Sequence, residues 1–314
     1  MRFIQTKIII FLVLAFATSF SGSCFGDHSD QNNTSIIDYS DAFIYGVVEG
    51  VTEFLPISST GHLVLVEHLL SENRADRPQK AGEAIFAYLI VIQGGAILAV
   101  AWLYRVQISL IFLGLIGKSE KGRKLGVLIF LSFLPAAALG PFLDDLIESF
   151  LLGLLPIALA LIVGAFVMFK VENSLHRNSS AAIPLDQMTK KSAIVIGFLQ
   201  CVAMWPGTSR SMMTIIGGYW VGLTRVHAAE YSFLLGLVTL TAAAGYKILF
   251  SGGEIITYLS PGPLLVGCLI AGVSAGLSVK WLISYLSQKG LAIFAWYRLV
   301  LGSIILAWFF SDQF

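Results

Sequence analysis

Apolar residues run through this chain in eight long blocks, separated by short polar or charged stretches. Six blocks, near 82–104, 125–143, 150–171, 225–250, 260–285 and 290–310, are uninterrupted. At about 1.5 Å per residue, each is long enough as a helix to cross roughly 30 Å of hydrocarbon. The remaining two, 40–70 and 190–223, are broken at mid-block by Pro56 and by Pro206-Gly207. Proline removes an amide donor and clashes with the preceding turn, so each of these blocks is predicted to be two half-helices joined by a break, entering the membrane and returning to the side it came from. The pattern predicts an all-α polytopic membrane protein with six full transmembrane spans and two re-entrant broken-helix hairpins.

Composition sharpens this without changing it. Of 314 residues, 56% are hydrophobic and 12% charged, with a mean hydropathy of +0.81 and a net charge of +1. A soluble domain carries roughly 25% charged residues, so a cytosolic globule and a disordered chain are excluded. No basic face exists for phosphate backbones, so nucleic acid is not an expected partner. Cys24, Cys201 and Cys268 stand far apart and form neither a disulfide framework nor a zinc site. At the N-terminus, Arg2 and Lys7 precede the apolar run 8–20 and then Ser21-Gly22-Ser23, the layout of a signal peptide or an uncleaved anchor over 1–23. Residues 24–39 read as a polar linker and 40–314 as one membrane domain.

Charge places the chain in the bilayer. The 105–124 loop carries Arg105, Lys118, Lys121, Arg123 and Lys124, and the 171–191 loop carries Arg177, Lys190 and Lys191. The intervening 143–149 turn carries Asp144, Asp145 and Glu148 and no base. The basic loops are predicted to face the cytoplasm and residues 25–40 the outside, as a signal peptide or anchor also requires.

An internal repeat appears at an offset of 151 residues. Gly46, Glu49, Pro56 and the Ser58-Ser59-Thr60 cluster are matched by Gly197, Gln200, Pro206 and the Ser209-Arg210-Ser211 cluster, with the proline displaced by one. Each copy precedes three full spans. Three is odd, so repeat two (190–310) is predicted to lie upside down relative to repeat one (40–171), an architecture that places a site where the broken helices meet.

The charges left inside the apolar blocks gather at these breaks. Glu49 and Glu53 stand at i and i+4 and project from one helical face. Two carboxylates there need a divalent cation, with Mg²⁺ and Ca²⁺ the oxygen-seeking choices, or a shared proton in a structural hydrogen bond. Ser58, Ser59 and Thr60 follow Pro56 at a helix N-terminus, suited either to capping or to receiving an anion. His62 lies one turn beyond Ser59, within reach for general-base or phosphate contact. Arg210, flanked by Ser209 and Ser211, is a permanently charged fork that either pairs with a glutamate or grips an oxyanion, for which phosphate fits best. Lys247, Lys280 and Arg298 lie near predicted span ends, where long basic side chains snorkel.

The run from Glu49 through His62, with Pro206-Gly207-Thr208-Ser209-Arg210-Ser211, closely resembles the two signature motifs of bacterial undecaprenyl-diphosphate phosphatases, the bacitracin-resistance proteins. Ile92 to Ala99, Ser232 to Leu235 and Phe294 to Arg298 look similar too. Met212 and Val238 depart from the glycine and proline usual there. The resemblance implies hydrolysis of a C55 polyprenyl diphosphate to the monophosphate carrier used in peptidoglycan synthesis, at the bacterial inner membrane, with the site facing the periplasm. It implies Ser59 as nucleophile, His62 as base or phosphate contact, Glu49 and Glu53 as metal ligands or proton carriers, Arg210 as diphosphate clamp, and Ser58, Thr60, Ser209 and Ser211 as phosphate contacts. The expected partners are the lipid substrate and membrane lipid, and a homodimer is compatible with them. The rival expectation is a polyprenyl-phosphate transporter or flippase without hydrolysis, since inverted repeats with broken helices are chiefly transporter devices.

Overall fold

The computed structural model describes residues 37–72, 81–177, 183–257 and 260–311. The signal or anchor segment and residues 24–36 of the linker lie outside them. Eleven α-helices occur among the described residues, with one 3-10 turn at Leu185–Gln187 and no strand beyond an isolated bridge between Ile183 and Leu223. In chain order they are α1 Tyr39–Thr52, α2 Ser59–Glu72, α3 Ala81–Leu103, α4 Arg105–Leu115, α5 Glu120–Phe150, α6 Leu154–Arg177, α7 Lys190–Val202, α8 Arg210–Trp220, α9 Arg225–Thr257, α10 Pro261–Leu286 and α11 Ala292–Ser311.

Six of these are long and apolar enough to span a bilayer: Ala84–Leu103, Glu120–Leu143, Leu154–Ser174, Arg225–Leu249, Pro261–Leu286 and Ala292–Ser311. They coincide with the six uninterrupted apolar blocks, and the protein is an all-helical, multi-pass membrane protein. Large apolar side chains such as Leu98, Trp102, Phe142, Val163 and Leu277 are exposed on their outward faces. Such a surface would aggregate in water and is matched to lipid.

Helix ends follow local chemistry. Asp38 caps α1 through Asp41 N–H at 2.8 Å, Ser119 caps α5 through Gly122 N–H at 3.0 Å, and Thr189 caps α7 through Ser192 N–H at 3.1 Å. Two details differ from the sequence expectation. The 143–149 segment is not a turn: α5 runs on to Phe150, through Pro135 and Pro141, and the chain reverses over 151–153. The 105–124 loop contains α4, whose Gly114 lies so close to Arg123 of α5 that a Cβ would strike its backbone. Flanking charges hid this short apolar helix in the sequence.

Each half's first helix packs on a long helix of the other half: α1 on α10, and α7 on α5. Helix α10 also packs on α3, and α11 on α6. The α10 contacts are backbone-close. A Cβ at Gly50 would run into the Ala271 carbonyl and the Ser274 hydroxyl, and one at Gly95 into the Cys268 carbonyl. Without a hydrophobic driving force between helices in lipid, such small-residue seams supply the packing. At the opposite end of α6, Glu172 is nearly buried, pairs with Arg225 and accepts from Leu291 N–H at 3.0 Å. That cluster ties the ends of α6, α9 and α11.

Candidate active site

Two short breaks sit between helices, residues 53–58 between α1 and α2 and residues 203–209 between α7 and α8. Ser58 has φ 74° and Ser209 φ 76°, the only non-glycine residues with positive φ among those described. They stand 151 positions apart, the offset of the sequence repeat. A left-handed or mirror-β serine costs on the order of 1–3 kcal/mol and persists only where surroundings impose it. Gly207, at φ 89°, needs glycine on both counts: its conformation, and the Ile157 carbonyl that would lie 2.7 Å from a Cβ.

The strained residues also cap the next helices. Ser58 Oγ accepts from Gly61 N–H at 3.3 Å and Ser209 Oγ accepts from Met212 N–H at 3.3 Å. The breaks are stitched together directly. Ser211, fully buried, donates to the Leu55 carbonyl at 2.6 Å and shares a hydrogen bond with Ser209 at 3.0 Å.

Between the breaks lies a cleft of about 150 Å³ lined by Glu53, Ser58, Ser59, Thr60, Ser209 and Arg210, with Gln93, Gly207, Ala203, Trp205 and Leu240 completing the wall. Ser59 Oγ donates to Glu53 Oε2 at 2.5 Å. Arg210 Nη2 donates to the other oxygen, Oε1, at 3.2 Å. Arg210 Nη1 donates to the Ser232 carbonyl of α9 at 3.1 Å, and the guanidinium lies 5.4 Å from the Phe54 ring centroid. Nε of Arg210 is buried with no hydrogen-bond partner. A hydroxyl, a carboxylate and a guanidinium are therefore in one line, with a spare charged donor beside them.

Six of the nine sequence-predicted site residues line this cleft: Glu53, Ser58, Ser59, Thr60, Ser209 and Arg210. Glu49, His62 and Ser211 stand behind it. Of the two alternatives for Arg210, the structure contains the pairing with a glutamate, and Nε is left without a partner. His62 is buried and uses both ring nitrogens: Nδ1 lies 2.6 Å from the Ser58 carbonyl and Nε2 2.7 Å from the Tyr297 hydroxyl. A carbonyl can only accept, so Nδ1 carries the proton and Nε2 accepts from Tyr297.

Glu49 is 1% exposed, with Glu53, Arg210 and the Gln93 amide as neighbours, and its Oε1 has no hydrogen-bond partner. Among the described residues no three His, Cys, Asp or Glu side chains gather as a metal site. The donor set is two carboxylates, an amide and hydroxyls. That suits a hard cation whose remaining ligands are waters and substrate phosphates, the usual manner of Mg²⁺.

Sequence reasoning missed four residues. Gln93 carries no charge to mark it within its apolar span, and Trp205 adjoins the break proline without a polar group that points to phosphate. Tyr297 reaches His62 across 235 positions of sequence. Arg298 does not snorkel: it is fully buried, and its Nη2 donates to the carbonyls of Ala160 and Gly207 at 3.0 Å each. Lys280 is exposed, whereas Lys247 is half-buried with its ammonium 5.7 Å from the Phe86 ring centroid.

Comparison with known proteins bears on the same region. A family model described as Bacitracin resistance protein BacA matches residues 42–304. The undecaprenyl-diphosphatase of Ectopseudomonas mendocina is 41% identical over 267 residues, covering 85% of this chain and 92% of its own. Undecaprenyl-diphosphatase 3 of Acinetobacter baylyi is 41% identical over 265 residues (84% and 96%), and the undecaprenyl-diphosphatase of Sorangium cellulosum 40% over 270 residues (85% and 85%).

Proposed function

The chain belongs to the BacA family of bacitracin resistance proteins, and from that premise we propose that it hydrolyses undecaprenyl diphosphate to undecaprenyl phosphate and inorganic phosphate, recycling the lipid carrier for peptidoglycan synthesis. The observation that carries the reading is the Ser59–Glu53–Arg210 line at the cleft floor, with 2.5 Å and 3.2 Å between successive partners. A transporter needs a phosphate grip and no activated hydroxyl.

The chemistry follows from the partners. Glu53 takes the Ser59 proton as Oγ attacks the terminal phosphorus. The Oγ–P bond forms and the P–O–P bridge breaks, so undecaprenyl phosphate leaves. Glu53 passes that proton to the departing undecaprenyl phosphate. Water then gives a proton to Glu53 as it attacks the phosphoserine, the Oγ–P bond breaks, phosphate leaves, and Glu53 returns the proton to Ser59 Oγ. Arg210, through Nε and the fork, balances charge on the equatorial oxygens, where such transfers need stabilisation most. Ser58, Thr60 and Ser209 supply further phosphate contacts. Ala203, Trp205 and Leu240 give the cleft an apolar side for the prenyl chain.

Glu49 and Glu53, with Gln93 nearby, would hold a Mg²⁺ or Ca²⁺ ion. Such an ion would neutralise diphosphate charge when bound. Purified protein in detergent is expected to release phosphate from C15 and C55 prenyl diphosphates, to lose that activity in EDTA, and to melt at a higher temperature when divalent cation is restored. Binding of the lipid without phosphate release would establish the transporter reading instead. Retained activity and an unchanged melting point in EDTA would remove the metal alone.

The site is proposed to face the periplasm from the bacterial inner membrane, with the basic loops inside. This orientation rests on the basic loops at 105–124 and 171–191, while the exchange of first helices between halves and the 151-residue recurrence of left-handed serines support the inverted-repeat reading. Gly153, exposed in the α5–α6 turn, provides the check. With the native cysteines replaced, Gly153→Cys is expected to react with an impermeant maleimide in intact spheroplasts. Labelling only after lysis would invert the topology.

A further inference from the structure

Tyr297 and Arg298 are consecutive on α11, yet each reaches a different break. Tyr297 donates to His62 Nε2 at 2.7 Å, its ring parallel to the imidazole within 4°. His62 passes the bond on through Nδ1–H to the carbonyl of Ser58, 2.6 Å away. That carbonyl belongs to the peptide between the left-handed Ser58 and Ser59. Arg298 donates to the carbonyl of Gly207, whose own φ is 89° and which stands two residues before Ser209. The same nitrogen donates to the Ala160 carbonyl of α6 as well, which ties the Gly207 peptide to that helix through the guanidinium. Gly164 makes room for it, since a Cβ there would collide with the guanidinium.

We propose that Tyr297 and Arg298 are positioning residues: from one helix they hold the peptide groups that aim Ser59 and Arg210 at the same phosphate. The inference rests on the hydrolase reading above and assigns His62 a role within it. With both ring nitrogens engaged, His62 transmits the position of α11 to Ser58, and Glu53 is left as the proton acceptor for Ser59. A backbone that strained relaxes unless it is held, and misplacement of a reacting group by about 1 Å costs on the order of a hundredfold in rate. The two arms of the brace govern different steps. The Tyr297 arm acts on the nucleophile, and the Arg298 arm acts on the phosphate grip.

Tyr297→Phe removes one oxygen and keeps the stacked ring. It is expected to lower kcat about tenfold with KM within about twofold of wild type, and to add no further loss in a His62→Gln background. Arg298→Lys keeps the charge but cannot reach both carbonyls, and is expected to raise KM more than it lowers kcat. Nitrogen-15 spectra of histidine-labelled protein read the brace without catalysis: His62, assigned by its disappearance in His62→Gln, is expected as a single Nδ1–H tautomer held by the Ser58 carbonyl, with its Nε2 resonance moving downfield in Tyr297→Phe, where that nitrogen loses its donor. Wild-type kcat in Tyr297→Phe, losses that multiply in the double variant, or an unchanged His62 spectrum would overturn the proposal. Absence of phosphate release from wild type would sink the hydrolase reading while the spectra still decide the brace.

Discussion

Glu53→Gln is expected to lower kcat by on the order of a thousandfold, with the protein still inserted and folded. Glutamine preserves size and can still accept from Ser59 Oγ, now 2.5 Å from the carboxylate, but it cannot hold the proton. General-base assistance alone contributes roughly 10²–10⁴-fold. The substitution also leaves Arg210 without its negative partner, which raises the energy of a charge only 11% exposed. Single-turnover phosphate release, with circular dichroism and thermal melting as controls for fold, measures it. Glu49→Gln supplies the contrast. Glu49 does not line the cleft, so its loss is expected chiefly as a raised requirement for divalent cation. Equal kcat losses in the two variants would show that Glu53 has no base role of its own.

Arg210→Lys is expected to weaken catalysis about a hundredfold in kcat/KM, mostly through KM, since truncating one partner of a buried charged pair typically costs about 2–5 kcal/mol and each 1.4 kcal/mol is tenfold. Lysine carries the same charge but is a point rather than a fork. It has no counterpart to the separate nitrogens by which Arg210 donates to Glu53 Oε1 and the Ser232 carbonyl and keeps Nε unpartnered. A second variant reaches the same end without touching a charge. Gly236 of α9 backs onto the guanidinium, and a Cβ there would displace it. Gly236→Ala is therefore expected to raise KM as well. Steady-state kinetics on a C15 prenyl diphosphate separates the outcomes. Wild-type KM in both variants would remove Arg210 from substrate binding.

The six spans were legible because lipid imposes one demand, roughly twenty apolar residues in a row, and that demand is local. The breaks at Pro56 and Pro206-Gly207 were legible because each proline stands beside a cluster of hydroxyls that caps a new helix, whereas Pro135 and Pro141 stand in α5 without ending it. The meeting of Glu53 with Arg210 could be read because a charge inside an apolar block needs a partner, and few were available. Helix α4 was not legible, because eleven residues fall short of a span and basic residues flank it. The end of α5 was misread as a turn because Asp144, Asp145 and Glu148 look like loop residues, although nothing in them stops a helix. The brace was invisible for a different reason. Tyr297 looks like any interfacial aromatic, and Arg298 like a snorkelling base at a span end. Only packing of α11 against α6 and the two breaks gives them partners, at separations of 91 to 235 residues.

The seam between α1 and α10 has a consequence for how the protein is made. Roughly 200 residues separate Thr52 from Pro261, and at about 5–20 residues per second the ribosome needs on the order of 10–40 s to deliver the second helix after the first. Throughout that interval α1 waits in the translocon or the bilayer with its glycine face uncovered. Glu49 and Glu53 wait too, because Arg210 has not yet been synthesised for most of it. Nascent chains caught at this stage are natural targets for membrane proteases and insertion chaperones. Any slowing of translation between the two helices would therefore reduce the yield of mature protein, without altering a residue of the finished molecule.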